Sequence, residues 1–307
     1  MKAIILAAGR GSRMQRLTDE RPKCLVEIGG RTLLDRQLAS LRGAGIDQIA
    51  VVTGYRRDML GGRGLVEFHN PRWESTNMVA SLACAAGWLR EAACIVSYSD
   101  IFYEHTAVAA LMYCAAPLAV TYDPDWRRLW ERRFGDPLAD AETFRLGAGA
   151  CVADIGARPS SVEEIQGQYM GLLRIAPEGW QEIERIRDAL PGQERDRIHM
   201  TGTLRKLIEA GRVPVQAVAY RGLWGEVDSA EDLAVYEGPM SSAPSASSAS
   251  SASSVSSVSS VSREADATSG AGSQNRSANA AAPPVDHAAA NFPIKEFTCR
   301  ARSPHRN

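Results

Sequence analysis

The chain has 307 residues, 45% of them hydrophobic, and its 35 basic and 36 acidic residues leave a formal net charge of -1. This balance excludes a global field that would draw the protein to nucleic acid or anionic lipid, so any phosphate chemistry must rest on locally placed charges. No run approaches the roughly 20 apolar residues of a membrane span, and six cysteines without a C-x-x-C pair or zinc-ligand spacing read as reduced, buried thiols.

The first run, KAIILAA, reads as a continuous apolar strand. Its apolar stretch is too short for a secretory leader before Arg10 and Arg13 interrupt it, so a cytoplasmic protein without membrane insertion is expected. The strand delivers LAAGRGSRM, residues 6–14, to its carboxyl end. After Leu6, the small residues Ala7, Ala8, Gly9, Gly11 and Ser12 let the backbone approach a ligand, and successive amides can hold phosphate oxygens. Met14 stands where a dinucleotide fingerprint requires its third glycine, which argues against that reading. Arg13 and Lys23 add cations, and the loop reads as one shaped for a triphosphate.

Next come a helix, TLLDRQLASLRGAG, opened by a capping box of Thr32 and Asp35, and two strands, IAVVTG and LVEFHN. A helix over TNMVASLACAAGWLREA places Asn77 and Ser81 one turn apart at its start, where they can face a nucleotide or serve as a cap and a solvent contact. The strand CIVSYSD ends on Asp100, and VAALMYCA and LAVTYD read as helix and strand. This alternation predicts an α/β domain of three layers with a mainly parallel sheet. From Asp123 to Tyr169 the alternation breaks, and this stretch is expected to cover the carboxyl ends of the strands as an insertion. Later runs, QYMGLLRIA and VPVQAVAYRG, read as strands, and WGEVDS brings Asp228 to a strand end before a second capping box of Ser229 and Asp232. From residue 241 the chain becomes rich in Ser and Ala, so we expect a folded domain over 1–240 and a disordered tail over 241–307 with a solvated basic end.

Asp100 and Asp228 beside a phosphate loop suit Mg2+, which is usually held by one or two carboxylates and substrate phosphates. Either alone reads equally well as a helix cap. Aromatic residues also stand near acids: Tyr98, Tyr122, Asp123, Trp126, Trp130, Tyr169, Trp224 and Glu226. Such a set can bind an ammonium group, each contact contributing about 0.5–2 kcal/mol, or it can pack the insertion against the core. The pair Trp224 and Glu226 stands out because Asp228 follows it. His69 and His199 are set aside, since attack by an already ionised phosphate needs no strong base.

The pattern L-A-A-G-x-G-S-R-M, followed by R-P-K at Arg21 to Lys23 and then LVEIGGRTLLDRQL, resembles the sugar-nucleotidyltransferase-like superfamily over residues 1–240. The segments FHNPRWESTNMVASL, YSDIFY, TYDPDW, IQGQYMGLL, HMTGTL and GLWGEVDS resemble its bacterial phosphocholine cytidylyltransferase group. The resemblance implies a Rossmann-like, GT-A-like nucleotidyltransferase fold and an enzyme that transfers CMP from CTP to phosphocholine or a similar small phosphorylated acceptor, releasing pyrophosphate. It implies catalytic roles for Lys23 and Arg13, nucleotide contacts from Leu6, Ala7, Ala8, Gly9, Gly11, Ser12, Asn77 and Ser81, and Mg2+ on Asp100 and Asp228. Acceptor contacts fall to Tyr98, Trp126, Tyr169, Trp224 and Glu226. Tyr98 and Ser99 precede the aspartate where many sugar-specific members have glycine, which weighs against a hexose phosphate. An aminoalkyl or hydroxyalkyl phosphonate, a sugar 1-phosphate, or a scaffold that only binds nucleotide remain open as alternatives.

Overall fold

Successive residues of a strand point to opposite faces, and in β1 (Lys2–Ala7) both faces are apolar. Ala3, Ile5 and Ala7 enter one buried cluster and Ile4 and Leu6 another, so the strand must be covered on both sides. The computed structural model describes residues 1–240; the serine-rich segment and the basic end lie outside the described residues. A short ribbon of β2 (Glu27–Ile28) and β3 (Arg31–Thr32) leads into α1 (Leu33–Gly43). As expected, Thr32 caps this helix: its hydroxyl accepts from the Asp35 amide at 3.0 Å and donates to the Asp35 carboxylate at 2.7 Å.

The chain continues through β4 (Ile49–Thr53), β5 (Val66–His69), α2 (Met78–Ala83), α3 (Ala86–Glu91), β6 (Cys94–Tyr98), β7 (Ile101–Tyr103), α4 (His105–Met112) and β8 (Leu118–Asp123). The one helix expected after Asn77 is two, because the hydrogen bonding tightens to the third preceding residue at Cys84 and Ala85. α5 (Arg127–Phe134) and the hairpin of β9 (Phe144–Leu146) and β10 (Val152–Ile155) form the insertion. β11 (Gln168–Ile175), α6 (Pro177–Ala189), α7 (Gly192–Arg197), α8 (Met200–Ala210), β12 (Val215–Ala219), β13 (Trp224–Glu226) and α9 (Ala230–Met240) complete the described chain.

Seven strands form one sheet in the order β12-β8-β11-β6-β1-β4-β5. Its strands run parallel except β11, which is antiparallel to β6 and β8. That reversal follows from the insertion, which leaves the carboxyl end of β8 at Asp123 and returns opposite it at Gln168. α1 and α4 cover one face with Leu34, Leu38, Leu41, Val108 and Leu111. α2, α3, α6 and α8 cover the other with Leu82, Leu89, Trp180, Ile183 and Leu204. Each such side chain contributes roughly 1.5–3 kcal/mol by leaving water. Chain order runs outward from β1 to β4 on one side and resumes at β6 on the other. This switch point opens a crevice beyond the carboxyl end of β1, where open α/β sheets bind ligands.

Cys24, Cys84, Cys94 and Cys114 are free, and Cys24 and Cys94 are buried as expected, whereas Cys84 and Cys114 are partly exposed. Cys151 is not among these free thiols, and Cys299 lies outside the described residues. Among the described residues no helix is long and apolar enough to cross a membrane.

Candidate active site

The loop after β1 is shaped by what packs beneath it. Gly11 has a left-handed backbone, φ 72°, and a Cβ there would lie 2.9 Å from Lys23 Cδ, so glycine makes room for the lysine stem. Met14, which replaces the third fingerprint glycine, is buried with Ile28, Leu33, Phe102, Val227 and Tyr236 and anchors the loop to β7, α9 and the segment after β13.

Lys23, almost wholly buried, brings its ammonium to 2.8 Å from Asp100 Oδ2 and 2.5 Å from Asp228 Oδ1. Asp100 occupies the turn between β6 and β7, and its carbonyl accepts from the Val227 amide at 2.9 Å. Asp228 follows β13, and its amide donates to Asp232 Oδ2 at 2.8 Å. Asp232 thus closes the expected capping box with Ser229 and also orients Asp228. Against the cost of burial, Asp100 and Asp228 hold the Lys23 pKa above its usual value. Against the same cost, Lys23 holds the Asp228 carboxyl below its usual range, helped by the exposed Arg13, whose Nη1 is 3.3 Å away.

Glu226 adds a third carboxylate: one oxygen each of Asp100, Glu226 and Asp228 lie within 4.8 Å of one another. Burial first, and then the charge of Asp228, push the Glu226 carboxyl well above the usual carboxylate range. Arg133 of α5 opposes this. Its side chain is fully buried, and it pairs with Glu226 at 2.9 Å and with Asp232 at 2.9 and 3.2 Å, over the rings of Trp130 and Phe134. An oxygen-only donor set suits a hard cation, and Asp100 Oδ1 is buried without a hydrogen-bond partner among the described residues, as a carboxylate oxygen reserved for a ligand would be. These three carboxylates could therefore hold Mg2+.

Two cavities flank this centre and share Arg13, Met78 and Tyr98. The first, about 310 Å3, is lined by Leu6, Ala8, Gly9, Gly11, Ser12, Lys23, Asn77, Ser81 and Asp100, with Trp73 and Thr76 as residues the sequence did not single out. Asn77 also caps α2, its side chain accepting from the Met78 amide at 2.7 Å, so the alternatives of cap and lining residue coexist. The Ala7 side chain belongs to the core on the α1 face, so any contact it makes with a nucleotide falls to its backbone.

The second cavity, about 300 Å3, is lined by Tyr98, Trp130, Asp140, Glu142, Tyr169, Glu226 and Asp228. The rings of Tyr98 and Tyr169 meet edge to face at 5.8 Å. Burial pushes the Asp140 and Glu142 carboxyls upward. Trp126 and Trp224, expected to touch the acceptor, are both buried in the core and line neither cavity. Trp224 spends its indole N–H on Asp123 at 2.9 Å. Trp130, one turn after Trp126, lines the cavity, and its buried Nε1 has no partner among the described residues. Arg133, Asp140 and Glu142 were missed because the insertion carries arginines and acids throughout, and spacing alone does not say which of them turn inward. His199, set aside earlier, lies at the rim of the second cavity and contacts Asn77 Nδ2.

The family model of the MobA-like NTP transferase domain matches residues 3–158. The chain belongs to this family. A CTP:phosphoglutamine cytidylyltransferase of Campylobacter jejuni is 36% identical over 251 residues, covering 76% of this chain and 98% of that protein. A choline-phosphate cytidylyltransferase of Streptococcus pneumoniae is 41% identical over 58 residues, 19% of this chain and 25% of its own. Among solved structures, the inositol-1-phosphate CTP transferase from T. maritima superposes with a TM-score of 0.62 at 19% identity, over 78% of this chain and 95% of that one. The nucleotidyltransferase fold expected from the sequence, with its mainly parallel sheet, is thus the fold of this family member, and the family is one of enzymes.

Proposed function

We propose that the protein transfers CMP from CTP to a small phosphorylated acceptor that carries a cationic nitrogen, releasing pyrophosphate. The observation that carries this reading is the second cavity, where Asp140, Glu142, Glu226 and Asp228 surround aromatic rings beside the Lys23–Asp100–Asp228 centre. An ammonium group in this cavity would meet the ring faces and favour the ionised forms of carboxyls that burial otherwise pushes towards neutrality. Relatives named for phosphoglutamine and choline phosphate support a small phosphorylated acceptor with a charged nitrogen, a quaternary ammonium in choline phosphate and an α-ammonium beside a carboxylate in phosphoglutamine. Phosphocholine is one member of that class; a hexose 1-phosphate is not.

In this reading the triphosphate lies against the loop of Gly9 to Ser12, whose backbone amides and helical-turn start suit phosphate oxygens. Tyr98 and Met78 separate the two substrates, and the acceptor phosphate oxygen attacks the α-phosphorus in line. The bond from the α-phosphorus to the bridging oxygen breaks, and pyrophosphate departs with that oxygen. Lys23 and Arg13 neutralise charge on the transferring group, which is where phosphoryl chemistry gains most from a protein. Asp100 and Asp228, with Glu226 near, would hold Mg2+, which supplies further neutralisation of triphosphate oxygens when bound. Arg133 keeps three neighbouring acids compatible before any cation arrives.

The test is pyrophosphate release with Mg2+, each of the four nucleoside triphosphates, and phosphocholine, phosphoglutamine, aminoethylphosphonate and glucose 1-phosphate as acceptors. Release with CTP and a cationic acceptor supports the reading. Release only with the sugar phosphate would overturn the cationic pocket, and silence throughout would leave a nucleotide-binding scaffold.

A further inference from the structure

We infer that Gln37 is the positioning residue for the turn that carries Asp100, an inference that rests on the proposed metal-binding role of that aspartate. Gln37 lies in α1 and has no exposed surface. Its Nε2 donates to the Tyr98 carbonyl at 2.9 Å and to the Ile101 carbonyl at 2.6 Å, the two residues that bracket Ser99 and Asp100. Its Oε1 accepts from Ser97 Oγ at 3.1 Å, and that hydroxyl oxygen accepts from the Tyr103 hydroxyl at 3.0 Å. One amide therefore uses both of its hydrogens and its oxygen on the two strands that meet at Asp100.

The topology explains why a clamp is needed there. β6 belongs to the seven-stranded sheet, while β7 pairs with β13 in a separate ribbon, so the chain leaves one sheet for another within two residues. On the ribbon side, the Asp100 carbonyl is tied to the segment between β13 and Asp228 through the Val227 amide. On the sheet side no β-ladder spans the joint, and Gln37 bridges it with the Tyr98 and Ile101 carbonyls. The spacing of Asp100 from a triphosphate seated at the end of β1 thus depends on this side chain. A buried amide with all three contacts made is a stiff link, because rotating it breaks its bonds to the Tyr98 and Ile101 carbonyls, the first of which also accepts from Ser97 Oγ at 3.1 Å.

The test uses Mn2+ as a spectroscopic probe, titrated into the full chain and read by the loss of the free-ion electron paramagnetic resonance signal. Gln37→Met keeps the length without the polar contacts, and Gln37→Glu keeps the volume and the acceptor but replaces two N–H donors by at most one O–H. Both are expected to weaken Mn2+ binding about tenfold, the lower end of what partners of metal ligands contribute. Asp100→Asn should abolish tight binding. Ile183→Ala, a core truncation in α6 on the opposite face, lowers the thermal midpoint but should bind Mn2+ like the wild type. If Asp100→Asn binds normally, the metal reading itself fails. If Asp100→Asn loses binding while either folded Gln37 variant keeps wild-type affinity, the Gln37 inference fails alone. Failure of both Gln37 variants to fold, judged by circular dichroism, would make Gln37 a residue of the core and overturn the inference.

Discussion

At the scale of single residues, the site is governed by which atoms can share a small buried volume. Gly11 shows this most sharply, because its missing Cβ leaves room for the Lys23 stem and its left-handed backbone favours a residue without one. Gly11→Ala places a methyl 2.9 Å from Lys23 Cδ on a backbone that costs an L residue about 1–2 kcal/mol. Moving the ammonium off the Asp100–Asp228 pair is expected to lower kcat/KM for CTP at least tenfold, with only a small fall in thermal midpoint; unchanged kinetics would sink the role assigned to Lys23. The glycine was readable in the sequence as part of a small-residue loop. Its reason was not, since the residue it accommodates stands twelve positions later. Met14 is the complementary case: its mismatch with the dinucleotide fingerprint was visible, but only the fold reveals that its side chain pins the loop to β7, α9 and the segment after β13.

At the scale of elements, the insertion contributes more than a cover. α5 carries Arg133 into contact with β13 and α9, where Glu226, Asp228 and Asp232 crowd together. Removing a buried charge from such a network leaves the opposite charges uncompensated, a loss of about 3–5 kcal/mol. Arg133→Met is therefore expected to lower the thermal midpoint by roughly 10 °C, given about 2–4 °C per kcal/mol for a domain of this size. A shift under 2 °C would show that the acids adjust without it. Boundaries of strands and the two capping boxes were legible because they depend on neighbours in sequence: Thr32 with Asp35, Ser229 with Asp232. The inward faces of α5 were not. Trp126 and Trp130 are one turn apart, yet the first fills the core and only the second lines the cavity as well. Composition alone offered no means of choosing between them.

For the whole molecule, ligand binding and folding stability are linked through the position of the site. The cleft lies at the sheet's switch point, with the loop after β1, the β7–β13 ribbon and the insertion each supplying part of its wall. These parts come from distant stretches of the chain, so they converge only in the folded state, and a ligand that bridges them stabilises that state by mass action. At one hundred times the dissociation constant the gain is about 2.7 kcal/mol, or roughly 5–10 °C for a domain of this size. CTP with Mg2+ is thus expected to raise the thermal midpoint of the wild type by that amount, and CTP with a chelator by clearly less. In Asp228→Asn the difference between those two conditions should vanish, whatever the variant's own midpoint, because the carboxylate proposed to hold the cation is gone while the loop remains. Equal shifts with and without Mg2+ in the wild type would mean that the triphosphate is held by Lys23, Arg13 and the backbone alone. The three neighbouring carboxylates would then act as the counter-charge for Lys23 and Arg133, and the acidic centre would be an ion-pair network built to position the lysine.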